Sequence, residues 1–421
     1  MAGITRRSAL AAAAGLAAGA TRPSKRPPNF IVILTDDQGY QDLGCFGSPD
    51  IATPHIDRMA REGRKLTSFT VQPICSPSRA ALLTGCYPQR VGIPTVLFPH
   101  DKTGLSPAVP TISSLLKAHG YDTYCIGKWH LGRLPGFLPT DHGFDGYFGV
   151  PYSNDMQPAV LMRDDQVIEE PYDNALLTKR YTEEAVAYIR RRRDRPFFLY
   201  LNHTMPHVPL GASPAFAGRS KRGPYGDAIE EIDWSTGQVL DALRETGQDR
   251  DTLVIFTSDN GPWLEKGRDA GSAAPLRDGK FSVYEGGIRT PCIAWWPGRV
   301  PAGTECSELA ASMDLLPTFL RLAGAPPAGH AIDGRDIWSL LSGRRGARSP
   351  HDALFFLFLD RVLAVRRGPW KLVINKEGAS ELYDVVSDPF EQRNLAAEHP
   401  RRVAAMRRQI ETLQRELSAA R

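Results

Sequence analysis

Cysteine is scarce in this sequence. The six residues Cys45, Cys75, Cys86, Cys125, Cys292 and Cys306 are spread irregularly over 421 positions, with no CxxC pair. That excludes a zinc-thiolate site and a dense disulfide framework, leaving room for one or two bridges. Net charge is also small, +4 at pH 7, so there is no electrostatic footprint for nucleic acid. Internal repeats are absent. The apolar run at 9–20 is too short to span a bilayer, which takes about 20 residues, so no stable membrane anchor is expected.

What is present is ordinary globular composition, 42% hydrophobic and 23% charged, enough for one large domain with an appendage. The 38 glycines and 34 prolines imply long loops, where binding and catalytic groups concentrate. At the N-terminus, Thr5-Arg6-Arg7-Ser8 precedes the Ala/Leu-rich run, which closes on Ala18-Gly19-Ala20. A basic start, a short apolar run and a small-residue end make residues 1–20 a signal peptide, and the paired arginines point to twin-arginine export. A periplasmic or secreted protein is therefore expected, with 21–28 as a linker.

From residue 29, short apolar runs alternate with helical patterns. The runs at 30–34, 124–126, 197–201, 253–256 and 292–296 read as buried parallel strands. The segment 111–119 reads as a helix stopped by Gly120. The segment 182–193 reads as a helix capped by Thr182, with Glu183 and Glu184 in its first turn and arginines at its end. This alternation predicts an α/β domain over 29–335, with a doubly wound, mostly parallel sheet flanked by helices. Beyond Gly334 the pattern changes. Short strands at 354–359, 362–366, 371–374 and 382–384 precede a helix after Pro400, with Val403, Met406, Ile410, Leu413 and Leu417 on one face. Residues 336–421 are thus expected to form a C-terminal subdomain, a small antiparallel sheet plus helix.

The chemistry sits at strand ends. The run 30–34 leads into Thr35-Asp36-Asp37, and 253–256 leads into Thr257-Ser258-Asp259-Asn260-Gly261. Ligands of open α/β sheets bind at the carboxyl ends of strands. Asp36, Asp37, Asp259 and Asn260 make a hard oxygen set that suits Ca²⁺ or Mg²⁺. Either pair alone would read as turn formers; both in matching positions favour a metal site. In Cys75-Ser76-Pro77-Ser78-Arg79, Ser76 suits an N-cap and Pro77 the first helical position, and Gly85 suits the helix end. Cys75 then lies at a helix N-terminus as an activated thiol, with Arg79 one turn on to grip an oxyanion.

The segment 75–85 resembles the type I sulfatase signature, Cys-x-Pro-Ser-Arg followed by Leu-Thr-Gly. Gly120-Tyr121-Asp122-Thr123-Tyr124-Cys125-Ile126-Gly127-Lys128-Trp129-His130-Leu131-Gly132 resembles that family's second signature. Asp36-Asp37, Asp259-Asn260-Gly261, Gly279-Lys280 with Tyr284-Glu285-Gly286-Gly287, Leu382-Tyr383-Asp384 and Asp388-Pro389 follow in the family's order. The chain is similar to arylsulfatase A-like sulfatases of the alkaline phosphatase superfamily.

The resemblance implies hydrolysis of a sulfate monoester, aryl or carbohydrate. It implies that a formylglycine-generating enzyme oxidises Cys75 to formylglycine, whose hydrate supplies one hydroxyl to attack sulfur and another to expel the sulfate. Asp36, Asp37, Asp259 and Asn260 look like ligands of one Ca²⁺, with residue 75 also reaching the ion. Arg79 would hold the hydrate and its neighbouring charges. Lys128 and Lys280 would bind sulfate oxygens, and His130 would be the base that releases sulfate. Lys128 or His207 would protonate the leaving oxygen. His203 reads as structural or as a contact to the rest of the substrate. Relatives that cleave phosphonate or phosphate diesters share the Cys-x-Pro-x-Arg nucleophile but resemble Asp-His at the second metal segment, where Asp259-Asn260 is similar to calcium sulfatases. The intact set from Cys75 to Lys280 argues against a non-catalytic binder of sulfated glycans. Substrate-facing loops are expected at 92–106, 151–179 and 211–226, with His100, Tyr152, Asn154 and Asp155 as candidate contacts.

Overall fold

A computed structural model of the chain describes residues 26–419. The expected leader and most of the expected linker lie outside the described residues. Strand β1, Asn29–Thr35, is buried along its whole length. Phe30, Val32 and Leu34 enter one apolar cluster, Ile31 and Ile33 another. A strand apolar on both faces belongs inside a sheet covered on both sides, and β1 lies there. After it come β2 (Arg64–Leu66), β3 (Phe69–Thr70), β4 (Asp122–Gly127), β5 (Gly146–Gly149), β6 (Leu161–Arg163), β7 (Gln166–Glu169), β8 (Phe197–Asn202), β9 (Thr252–Ser258), β10 (Ile293–Trp295), β11 (Thr304–Cys306) and β12 (Ala310–Ala311).

Ten of these form one mixed sheet, ordered β11-β2-β10-β9-β1-β8-β4-β5-β6-β7. Its centre, β9-β1-β8-β4-β5, is parallel. Strand β10 on one side and β6 and β7 on the other are antiparallel. The helices Cys75–Thr84, Ile112–Ala118 and Leu315–Ala323 cover one face, and Pro54–Glu62, Leu177–Arg190 and Pro224–Glu245 the other. The expected doubly wound α/β architecture is what the chain adopts.

Register places the chemistry. Thr35 of β1 pairs with Ser258 of β9, Leu34 with Asn202 of β8, and Asn202 with Gly127 of β4. Four strands therefore end at one level, and the segments after them, starting at Asp36, Lys128, His203 and Asp259, converge on one edge. Gly127 (φ 99) is needed there, because a Cβ would meet Asn202 O at 1.7 Å.

The C-terminal strands β13 (Leu354–Phe358), β14 (Arg361–Arg367), β15 (Trp370–Ile374) and β16 (Ser380–Asp384) form a separate antiparallel meander. The helix Pro400–Ala419 packs on it through Met406, Ile410, Leu413 and Leu417, with Val403 half-buried beside them. Tyr87, Val283 and Ile288 from the larger sheet's loops share this core.

Two helix starts differ from expectation. The helix expected at 182–193 runs Leu177–Arg190. It continues from a 3-10 turn, Asn174–Leu176, capped by Asp173, so Thr182 lies inside it and bonds Thr178 O and Ser235 Oγ instead. The helix expected to start around Ser76 begins at Cys75 itself, after Ile74 in extended conformation, with no side-chain cap. Ser76 Oγ accepts from the Leu97 N–H at 3.2 Å rather than capping. Gly85 (φ 69) ends that helix as expected.

Candidate active site

Cys75, Arg79, Lys128, His130, Asp36, Asp37, Asp259, Asn260, His207 and Lys280 are all buried, and most are tied to one another. Arg79 is the hub. Its Nη2 donates to Asp36 Oδ2 and Asp259 Oδ2, both at 2.9 Å, its Nε to Asp259 at 3.1 Å, and its Nη1 to Lys128 O at 2.8 Å. All these partners are protein groups, so Arg79 fixes the carboxylates around Cys75 and makes no bond to Cys75 itself. Lys128 Nζ lies 2.5 Å from Asp36 Oδ2 and donates to Ser153 Oγ at 3.1 Å. Lys280 Nζ lies 2.7 Å from Asp37 Oδ1. Three buried carboxylates thus face three buried cations. Pairing is what makes such burial tolerable.

The charges respond to this packing. Burial opposes ionisation of Asp36, but Lys128 and Arg79 prevail and hold its carboxyl well below the usual range. Burial wins at Asp259, whose carboxyl is pushed up to about 6, with Asp36 adding repulsion and Arg79 offsetting it. Burial and then Asp36 push the Cys75 thiol far up. Its Sγ lies 3.6 Å from Asp36 Oδ1. This direction runs against the expected activated thiol, because burial beside a carboxylate outweighs the helix N-terminus.

Two histidines have defined tautomers. A carbonyl oxygen can only accept, so the bond from His130 Nε2 to Leu97 O at 3.0 Å leaves Nδ1 with the lone pair. That Nδ1 is buried with no protein partner. His207 Nδ1 lies 2.6 Å from Val208 O, leaving the Nε2 lone pair to face Asp37 Oδ2 at 3.6 Å. Burial, then Lys128 and Lys280, bring His207 down to about 3. Backbone strain gathers here too. Asp37 (φ 63), His130 (φ 61), Asp278 (φ 65) and Phe281 (φ 70) are left-handed, at about 1 kcal/mol or more each.

The site also gathers possible metal ligands. Ligand atoms of Asp36, Asp37, Cys75 and His207 all lie within 4.8 Å of one another. Asn260 Nδ2 donates to Asp37 Oδ1 at 2.7 Å, while its Oδ1 is buried without a protein partner. An amide oxygen without a protein partner beside carboxylates suits a hard cation such as Ca²⁺.

Other expected residues scatter. His203 is buried against Ser235 Oγ at 3.3 Å. Asn154 is buried too, but its Nδ2 is spent on His207 O and Pro209 O. Tyr152 stands edge-on to His130 with 6.1 Å between centroids, and its hydroxyl has no protein partner. Asp155 is exposed. His100 is exposed on Phe98, away from the cluster. All six cysteines are free thiols. Sequence reasoning missed Trp263, whose ring lies 5.7 Å from that of His207 and 4.8 Å from Lys280 Nζ. An aromatic two residues after Asn260-Gly261 was the available signal. Two clefts, about 740 Å³ beside Trp295 and about 600 Å³ beside His351, share no residue with this cluster.

A buried cysteine, a free imidazole nitrogen and three cations thus gather at the edge where the parallel strands end. Residues 28–325 match the sulfatase family, and residues 277–418 match the C-terminal region of N-sulphoglucosamine sulphohydrolase. The chain is 38% identical to human arylsulfatase A, over 99% of its own length and 92% of that protein's. It is 42% identical to N-acetylgalactosamine-6-sulfatase of Canis lupus familiaris, over 85% and 73%. Its fold superposes on the crystal structure of Ps i-CgsB in complex with k-i-k-neocarrahexaose with a TM-score of 0.83, at 31% identity, covering 92% of this chain and 93% of that one. The chain belongs to the sulfatase family, as a type I sulfatase of the alkaline phosphatase superfamily and a sulfuric ester hydrolase.

Proposed function

We propose that the chain hydrolyses an aryl or carbohydrate sulfate monoester with residue 75 as formylglycine and one Ca²⁺ held by Asp36, Asp37, Asp259, Asn260 and residue 75. The observation that carries this is the buried set of paired charges gathered around Cys75, with Asp36 held by Arg79 and Lys128 and Asp37 by Lys280. Formylglycine, made by a formylglycine-generating enzyme, supplies a hydrate with one hydroxyl for attack and a second for sulfate release. Ca²⁺ supplies charge that lowers the hydrate's pKa and polarises a sulfate oxygen.

The chain's own groups do the rest. Lys128 and Lys280 hold sulfate oxygens as compact point charges. Arg79 keeps Asp36 and Asp259 in place. His130 takes a proton at Nδ1, its free nitrogen. Of Lys128 and His207, Lys128 is the donor to the leaving oxygen, because His207 has its only proton turned toward Val208. His207 Nε2 acts as an acceptor. Trp263 offers an aromatic face beside Lys280 for the ring that carries the sulfate, which suits an aryl group or a sugar.

The charge balance supports this reading. Three carboxylates against three cations are neutral; a dication adds two positive charges. A monoanionic sulfate ester and a deprotonated hydrate cancel them. Export by the leader at 1–20 fits periplasmic or secreted desulfation of glycans. Among the described residues, no helix is long and apolar enough to cross a membrane. A panel of aryl sulfate, sugar sulfates and phosphonate esters tests the ester class. Faster turnover of the sulfate is expected; faster phosphonate turnover, or binding of sulfated sugar without release of sulfate, contradicts it.

A further inference from the structure

Lys371 lies on β15 and is fully buried. Its Nζ donates to Glu285 Oε1 at 3.0 Å and sits 2.9 Å from Glu391 Oε1. Glu391 Oε2 in turn accepts the Glu285 backbone N–H at 2.7 Å. Arg366 on β14 stands 3.6 Å from Glu285. Burial opposes charge on Glu285, yet Lys371, Arg366 and Arg289 hold its carboxyl down to about 2. A buried ion cluster of this kind is weak evidence for stability, since apolar side chains of similar volume often serve as well. Its better-supported use is to fix one arrangement.

What it fixes is the segment that carries Lys280. Glu285 opens the short helix Glu285–Ile288 five residues after Lys280. The backbone on either side of Lys280 holds two left-handed residues, Asp278 and Phe281, and needs external ties to keep that shape. Some come from the active-site side: Lys280 N–H donates to Pro262 O at 2.9 Å and Phe281 N–H to Pro73 O at 2.9 Å, two residues before Cys75. A Cβ on Gly261 would meet Gly286 O at 1.8 Å, so the Asn260-Gly261 turn rests directly on this segment. The other ties come from the C-terminal sheet. Arg277 Nη1 donates to Tyr383 Oη at 2.9 Å and Glu391 O at 3.1 Å, and Tyr284 Oη to Glu381 Oε2 at 2.6 Å.

We propose that Lys371 is a positioning residue for Lys280: its clamp on Glu285 and Glu391 sets the 277–288 segment so that Lys280 reaches Asp37 and the substrate's sulfate. The role of Lys280 toward sulfate rests on the functional reading above; the clamp does not.

The test is Lys371→Met in the full chain, alone and with Lys280→Ala. Amide hydrogen exchange at Lys280 and Phe281 should speed up about tenfold or more, while amides of β1 and β9 keep their rates. With 4-nitrophenyl sulfate, kcat/KM should fall about tenfold in the wild-type background and less than about twofold in the Lys280→Ala background. A merely structural role would act equally in both. If Lys371→Met does not accumulate as folded protein, Glu391→Gln keeps the Lys371–Glu285 pair and should give the same pattern at smaller size. Unchanged exchange at the two amides, or equal losses in both backgrounds, overturns the proposal. A wild-type chain that fails to cleave the sulfate overturns the functional reading instead, and the exchange data still decide the clamp.

Discussion

His130 and Leu97 share one hydrogen bond, from Nε2 to the carbonyl oxygen at 3.0 Å, and it leaves Nδ1 as the histidine's only basic atom. Burial, then Lys128 and Arg79, hold His130 well below its ordinary pKa, so the ring is neutral at physiological pH and the Nδ1 lone pair is free. His130→Ala should lower kcat by about 10²-fold or more, with the loss in sulfate release and not in the first transfer. Mass spectrometry of the mutant quenched during turnover should find sulfate covalently held on residue 75. A slow mutant with no adduct would remove His130 from that step.

The oxygen set after β1 and β9 predicts calcium dependence. Chelation should lower both activity and thermal stability, and Ca²⁺ should restore both. Saturation at 100 times Kd corresponds to about 2.7 kcal/mol of stabilisation. Asn260→Ala, which deletes the orphaned oxygen, should weaken the melting-temperature response to Ca²⁺. An unchanged response in calorimetry would show that Asn260 is not a ligand.

Trp263 predicts a specificity effect. Trp263→Ala should raise KM for an aryl sulfate about 5- to 10-fold through lost ring contact, with little change for a small alkyl sulfate. Trp263→Phe should restore most of it. Equal effects on both substrates would mean that Trp263 supports His207 and Lys280 rather than the substrate.

Asp233 predicts a pH effect remote from the catalytic cluster. It accepts the N–H groups of His55 and Ile56 at the start of the helix Pro54–Glu62, yet burial pushes its carboxyl up to about 7. The folded state therefore keeps a proton that the unfolded chain releases near 3.8. Between those values this group makes stability fall as pH rises, by about 1.4 kcal/mol per unit at most. Melting temperatures of Asp233→Asn should lack that slope between pH 4 and 7; a slope equal to wild type would contradict it.

The parts of the fold legible in sequence were those set by continuous burial. The runs in β1 and β9 are apolar at every position and each ends in oxygen-bearing residues, so both strands were legible, while their pairing, Thr35 against Ser258, is seen only in the structure. The C-terminal helix was legible from the spacing of Met406, Ile410, Leu413 and Leu417. Less legible was anything set by contact between distant segments. The helix at Leu177 starts from a 3-10 turn capped by Asp173, which has no apolar periodicity to announce it. The state of Cys75 depends on Asp36, 39 residues away, so a helix N-terminus alone misjudged it. Lys371, Ser153 and the Leu97 carbonyl matter through packing that no local motif encodes.

The most direct test of the central claim is the mass of the peptide containing Cys75, taken from protein purified out of its native host. The account predicts that the thiol is gone and an aldehyde or its hydrate stands in its place, as the sulfatase signature at 75–85 implies. An intact thiol in protein that still hydrolyses sulfate esters would contradict it.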